Sequence, residues 1–136
     1  MGVWMIAGGK LTIEPKVDDY IIQEFILFSK ETCPPAYYRE KFYNTWFFDE
    51  QNRLVCYEGK FGQASIWYEH LKENFFGLRG YVLKGDPHFI AEGEKGFTEI
   101  CEERNADYDK WVERRDVIEN SEGLFLEHQN KIFGML

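Results

Sequence analysis

Residues 65–93, SIWYEHLKENFFGLRGYVLKGDPHFIAEG, decide the fold class of this chain. Their first half sets Trp67, Tyr68, Leu71, Phe75 and Phe76 at helical spacing, which gives one apolar face. Ser65 stands where an N-cap oxygen accepts from a free backbone N–H, and Gly77 where a left-handed residue closes a helix. Arg79-Gly80 leads into an apolar run, Tyr81-Val82-Leu83-Lys84, that reads as a strand. Gly85-Asp86-Pro87 predicts a turn into a second strand, His88 to Glu92, with one continuous bent strand as the alternative.

Similar pieces flank this stretch. Upstream, Val3 to Ile6 is apolar, Gly8-Gly9 interrupts it, and Lys10 to Glu14 alternates polar with apolar as a half-buried strand does. Pro15 suits the first turn of a helix over Val17 to Lys30. Val17, Ile21, Phe25 and Phe28 share one face of that helix, with Ile22 and Ile26 beside them. Asp18 and Asp19 oppose the positive end of its dipole, and Thr32-Cys33-Pro34-Pro35 stops it. Phe42 to Phe48 and Leu54 to Phe61 are aromatic and β-branched runs around a polar link, the pattern of a β-hairpin.

Downstream, Phe97, Ile100, Cys101, Tyr108, Trp111, Val112 and Ile118 follow helical spacing from Phe97 to Asn120. Arg104 and Arg115 interrupt the stripe, and their stems are expected to lie along it with the charged heads in water. Ser121 and Gly123 end the helix, and residues 121–136 make a peripheral tail. The element order predicts one α+β domain over residues 1–136. Its expected core is an antiparallel sheet of four or five strands, split βαβ-like (ferredoxin-like), with two helices on one face plus the long C-terminal helix.

The chain has 136 residues, a length typical of one domain, and carries 24 acidic against 16 basic side chains for a net charge of −8. No basic patch is present to neutralise phosphates, which argues against direct nucleic-acid binding and against an anionic membrane surface. No apolar run approaches the roughly 20 residues that span a bilayer. The acidic balance suits solubility or a basic protein partner. Cys33, Cys56 and Cys101 are odd in number and widely spaced, so neither a disulfide framework nor a zinc site is predicted. A reducing cytoplasm is the expected compartment, and the opening MGVWMIAGGK lacks the basic leader of a signal peptide.

Trp46-Phe47-Phe48-Asp49, Trp67-Tyr68-Glu69-His70-Leu71, Arg79-Gly80-Tyr81 and Gly85-Asp86-Pro87 together resemble a group of small bacterial and phage-associated proteins with no assigned activity. The resemblance covers roughly residues 40–95. It implies a cytoplasmic, mobile-element setting and carries over no catalytic role.

Chemistry-bearing residues are sparse. Asp86 with His88 is the carboxylate–histidine pair to test as a general base, although a turn aspartate beside a surface histidine explains it as well. His70 lies beside Glu69 and Glu73, and His128 in the tail. The glutamates from Glu92 to Glu103 suit a helix N-terminus better than an acid–base pair. No phosphate-binding glycine motif, nucleophile elbow or metal spacing occurs, and no cofactor is expected. Exposed rings are the remaining lead. Trp4, Tyr37, Tyr38, Tyr43 and Tyr68 are the candidate protein interface, because tyrosine and tryptophan concentrate at such surfaces. These features predict a non-enzymatic protein-interaction module or homodimer. The alternative is a small-ligand or nucleotide-metabolite binder, or an enzyme, with a pocket formed by Tyr57, Arg79, Asp86 and His88.

Overall fold

The structure is a computed structural model that describes residues 3–34, 43–59, 63–121 and 123. Its elements run β1 (Met5–Ala7), β2 (Thr12–Glu14), α1 (Asp19–Glu31), β3 (Trp46–Phe48), β4 (Leu54–Cys56), α2 (Gln63–Leu71), β5 (Val82–Lys84), β6 (Phe89–Ala91) and α3 (Phe97–Glu119). The described residues are therefore α+β, with three helices and small antiparallel sheets. The four- or five-stranded sheet expected from the sequence is present as three two-stranded pairs, β1 with β6, β2 with β5 and β3 with β4. Each strand is only three residues long, and single bridges join Met5 to Gly59 and Leu11 to Leu54 between the pairs.

The expected turn at Gly85-Asp86-Pro87 does not fold β5 back on β6. Instead β5 pairs with β2 and β6 with β1, in one shared register: Thr12 faces Lys84 and Ala7 faces Phe89. Residues 5–14 and 82–91 thus form one antiparallel ribbon with a gap in its ladder, which is the bent-strand alternative. The gap arises where Gly85 takes φ 113°, which takes the backbone out of the extended region. Opposite it, Gly8 donates its N–H to the His88 carbonyl at 2.5 Å.

Helix α1 begins one residue after Asp18, whose carboxylate accepts from the Ile21 N–H at 3.0 Å. Pro15 lies before this cap and outside the helix. Ile22, Phe25 and Ile26 are its buried face, while Ile21 and Phe28 sit partly buried beside them. The β3–β4 hairpin closes through Asp49, whose Oδ1 accepts from the Gln51 and Arg53 N–H groups, with Asn52 in the left-handed region at φ 57°.

Helix α2 departs from the sequence reading at both ends. It starts at Gln63, so Ser65 is inside it rather than at its cap, and Gly77 is right-handed, at φ −61°. Past Leu71 the helix widens into a π turn, Lys72–Phe76, then tightens into a 3-10 turn, Gly77–Arg79. The left-handed residue is Gly80, at φ 81°. Adjacent Phe75 and Phe76 explain the widening. Both are fully buried, and the extra residue in the turn brings both rings inward from neighbouring positions.

Both strands of the β3–β4 hairpin are buried at every residue, because helices cover both faces. On one side Phe48 meets Phe25 of α1 and Phe76, with ring centroids 4.8 and 6.4 Å apart. On the other, Phe47 and Tyr57 meet Tyr108 of α3 at 5.3 and 4.5 Å. Trp111 reaches past the hairpin to Phe25 and Phe48, joining the two layers. Edge-to-face packing of this kind adds about 0.5–1.5 kcal/mol per pair beyond buried area. The buried row of α3 is Arg104, Trp111 and Ile118, spaced seven apart.

Candidate functional site

Two concavities among the described residues bear on function. The first, of about 590 Å³, opens between the second half of α1, the entry to β3, and α3. Its wall is aromatic: Trp46, Phe47, Tyr57, Tyr108 and Trp111 line it, and Trp4 and Tyr43 join them. Trp4 is 38% and Tyr43 68% exposed, so these two present ring surface to solvent. The polar groups here are mostly engaged. Asn44 donates to Ser29 Oγ at 2.7 Å and accepts from the Trp46 N–H at 2.8 Å, Lys30 pairs with Glu119, and Glu58 pairs with Arg104. Volume and lining match an ordinary ligand or anchor pocket, apolar with few polar groups.

The second, of about 680 Å³, runs between α2 and the start of β6. Tyr68, Glu69, His70 and Glu73 form its helical wall, Pro87 and Phe89 its strand wall. Glu69 and Glu73 have no ion-pair partner among the described residues. His70 is held tightly. Asn74 Nδ2, which can only donate, lies 3.1 Å from Nδ1, so the ring proton sits on Nε2 and is given to Thr32 Oγ1 at 3.0 Å. Thr32 in turn donates to the Phe28 carbonyl at 2.8 Å, and the ring stacks on Phe28 at 4.9 Å. Burial keeps the His70 pKa below its ordinary value, so the imidazole is neutral at neutral pH.

The strongest charges are committed internally. Lys10 reaches Asp107 at 2.6 Å, Glu103 at 3.0 Å and Asp49 at 3.7 Å, while Arg53 holds Asp49 at 2.8 Å. Burial pulls the Lys10 pKa down, but Asp107 and Glu103 outweigh it and leave it above the ordinary value. Arg104 was expected to send its head to water and instead is 4% exposed. Its guanidinium donates to Glu58 at 2.9 Å, contacts Asn105, and stacks over Tyr57 at 4.5 Å, which is why it tolerates burial. Its Nε and Nη1 have no hydrogen-bond partner. Burial pushes the Cys56 thiol up to about 12 and raises that of Cys101, so neither forms a thiolate nucleophile at neutral pH. Among the described residues no His, Cys, Asp and Glu group is arranged to hold a metal ion. No helix among them is long and apolar enough to cross a membrane.

The four residues read as a ligand pocket have separate neighbours. Tyr57 sits against Tyr108 and Arg104 of α3. Arg79 lies on the surface, donating to Glu24 of α1 at 2.8 Å and to the Phe75 carbonyl at 3.1 Å, with its guanidinium 4.1 Å over the Phe75 ring. Asp86 and His88 are exposed and share no hydrogen bond with each other. The His88 ring lies across Gly8, in the space a Cβ there would occupy. Of the five rings read as an interface, Trp4 and Tyr43 come together at the first cleft, joined by Tyr57, and Tyr68 belongs to the second groove. Tyr37, Tyr38, His128 and the tail from residue 124 lie outside the described residues.

Sequence reasoning missed Phe89 and Trp111 as site-forming residues, since both read as plain core positions. Glu69 and Glu73 were visible in the sequence only as neighbours of His70. No family model, curated protein or solved structure matches the chain in comparisons of its sequence and fold.

Proposed function

We propose that this chain is a non-enzymatic protein-recognition module. The observation that carries the reading is the aromatic cleft with Trp4 and Tyr43 exposed upon it, while the buried charges are spent on internal ion pairs. Exposed tyrosine and tryptophan are the usual anchors of a protein interface. Capture of partners from cell lysate, with quantitative mass spectrometry, tests it when run with wild type and a Trp4→Ala/Tyr43→Ala variant. Proteins held by wild type and lost from the variant are expected, or self-association lost in the same way. Identical capture by both, or none at micromolar concentration, rejects the module.

A small-ligand function is the second reading, favoured by the cleft's volume and apolar lining. It moves the pocket from Arg79 and His88 to Tyr43, Tyr57 and Tyr108. A thermal-shift screen of nucleotides and metabolites separates the two, because a ligand at 100 times its dissociation constant stabilises by about 2.7 kcal/mol.

We also infer that the three strand pairs belong to one curled split βαβ sheet. In support, the bridges at Gly59 and Leu54 set β4 beside the 5–14 strand, which gives the order 82–91, 5–14, 54–59, 46–48. Slow amide exchange at Met5, Leu11, Leu54 and Gly59 is the expected sign, and fast exchange at all four counts against it.

A further inference from the structure

The edge of the 82–91 strand turned away from β1 borders the second groove. Residues of an antiparallel strand alternate between those bonded to the partner and those facing away. Glu92 donates to Trp4 and Gly8 to His88, so positions 88, 90 and 92 spend their groups on β1. Positions 87, 89 and 91 face outward. Ala91 is already closed off, its N–H by Glu94 Oε2 at 3.2 Å and its carbonyl by the Glu94 N–H at 3.0 Å. What remains is the Phe89 N–H, the Phe89 carbonyl and the Pro87 carbonyl, and Pro87 and Phe89 are the two strand residues that line the groove.

Facing this edge across the groove, Glu69 and Glu73 stand one helical turn apart, and no cation among the described residues pairs with them. Tyr68 beside them already takes a cation on its ring, Lys72 at 5.8 Å. One free strand donor and two free acceptors, opposite two carboxylates and a ring, are complementary to one kind of occupant. We propose that the groove takes an extended, basic segment of a partner protein, which adds as a short strand at Pro87–Phe89 while its lysine or arginine side chains meet Glu69 and Glu73. Main-chain hydrogen bonds supply the affinity and alternate side chains the selectivity. The acidic charge of the whole chain steers such a segment inward. This rests on the protein-recognition reading but uses a surface separate from the Trp4–Tyr43 cleft.

A randomised dodecapeptide display library, panned on the folded full chain, tests it. Enriched peptides are expected to be free of proline and to carry lysine or arginine at alternate positions. The best of them, made synthetically, should slow exchange of the Phe89 amide and bind about tenfold or more weakly to a Glu69→Lys/Glu73→Lys variant. N-methylation of its alternate amides should abolish binding, and Trp4→Ala/Tyr43→Ala should leave it unchanged. Both glutamates are exposed, so the charge-reversed protein is expected to fold, which circular dichroism checks. No enrichment, equal binding to the charge-reversed protein, or an unaltered Phe89 amide overturns the proposal. Loss of binding on Trp4→Ala/Tyr43→Ala instead would assign recognition to the cleft and leave the groove without this role.

Discussion

Gly77 has ordinary helical angles, and an exposed glycine in a helix usually gains about 1 kcal/mol on replacement by alanine. Here the sign reverses. The π turn brings the Lys72 carbonyl to 2.7 Å from where a Cβ would stand, and that oxygen is backbone, accepting from the Gly77 N–H. Gly77→Ala should therefore destabilise by about 1–2 kcal/mol in urea melts; a stabilised variant would mean that the wide turn is not fixed. Arg104 gives a second contrast. Replacing a buried ion with an apolar chain of similar length is often harmless, whereas stripping its partner strands a charge. Arg104→Met should stay within about 1 kcal/mol of wild type, because Glu58 keeps 27% exposure and can turn to water. Glu58→Gln, leaving the guanidinium without a carboxylate, should cost about 1–3 kcal/mol in the same melts.

Among the elements, α1 and α2 are tied by one polar chain: Phe28 carbonyl, Thr32 hydroxyl, His70 ring and Asn74 amide. Protonating His70 puts a hydrogen on Nδ1, against the Asn74 donor. Its folded-state pKa lies below the unfolded value near 6.5, so the unfolded chain binds more protons between the two. Stability from this contact is complete above about pH 6.5 and falls as pH drops below it. Urea melts from pH 7.5 to 5 should show that slope, and a His70→Gln variant should lose it whatever its absolute stability. The helices were legible because their apolar periodicity is local, and so was the β3–β4 hairpin. The fate of Gly85-Asp86-Pro87 was not legible: a glycine–proline break reads alike for a reversal and for a gap, and only the register with residues 5–14 decides. Phe75 and Phe76 were both legible as buried, but the π turn that brings the two adjacent rings inward was not, because 3.6-residue periodicity carries no sign of a wider turn.

At the scale of the molecule, a hairpin buried on both faces needs three helices to close it, and α3 supplies the outer layer. That leaves the acidic surface of α3 outside and concentrates exposed rings where α1, β3 and α3 converge. The sequence named Trp4, Tyr43 and Tyr57 as candidates in two separate lists, and the fold unites them. It separated Tyr57 from Arg79 because the first lies on the hairpin face under α3 and the second at the far end of α2 against α1. Composition reports that a ring is present, not which layer covers it. The central claim, recognition of a protein through that cleft, is tested most directly by hydrogen–deuterium exchange of the chain alone and bound to its captured partner. The account predicts slowed exchange at residues 43–47 and 57–58. Protection confined to the outward face of α3, with those segments unchanged, would contradict it.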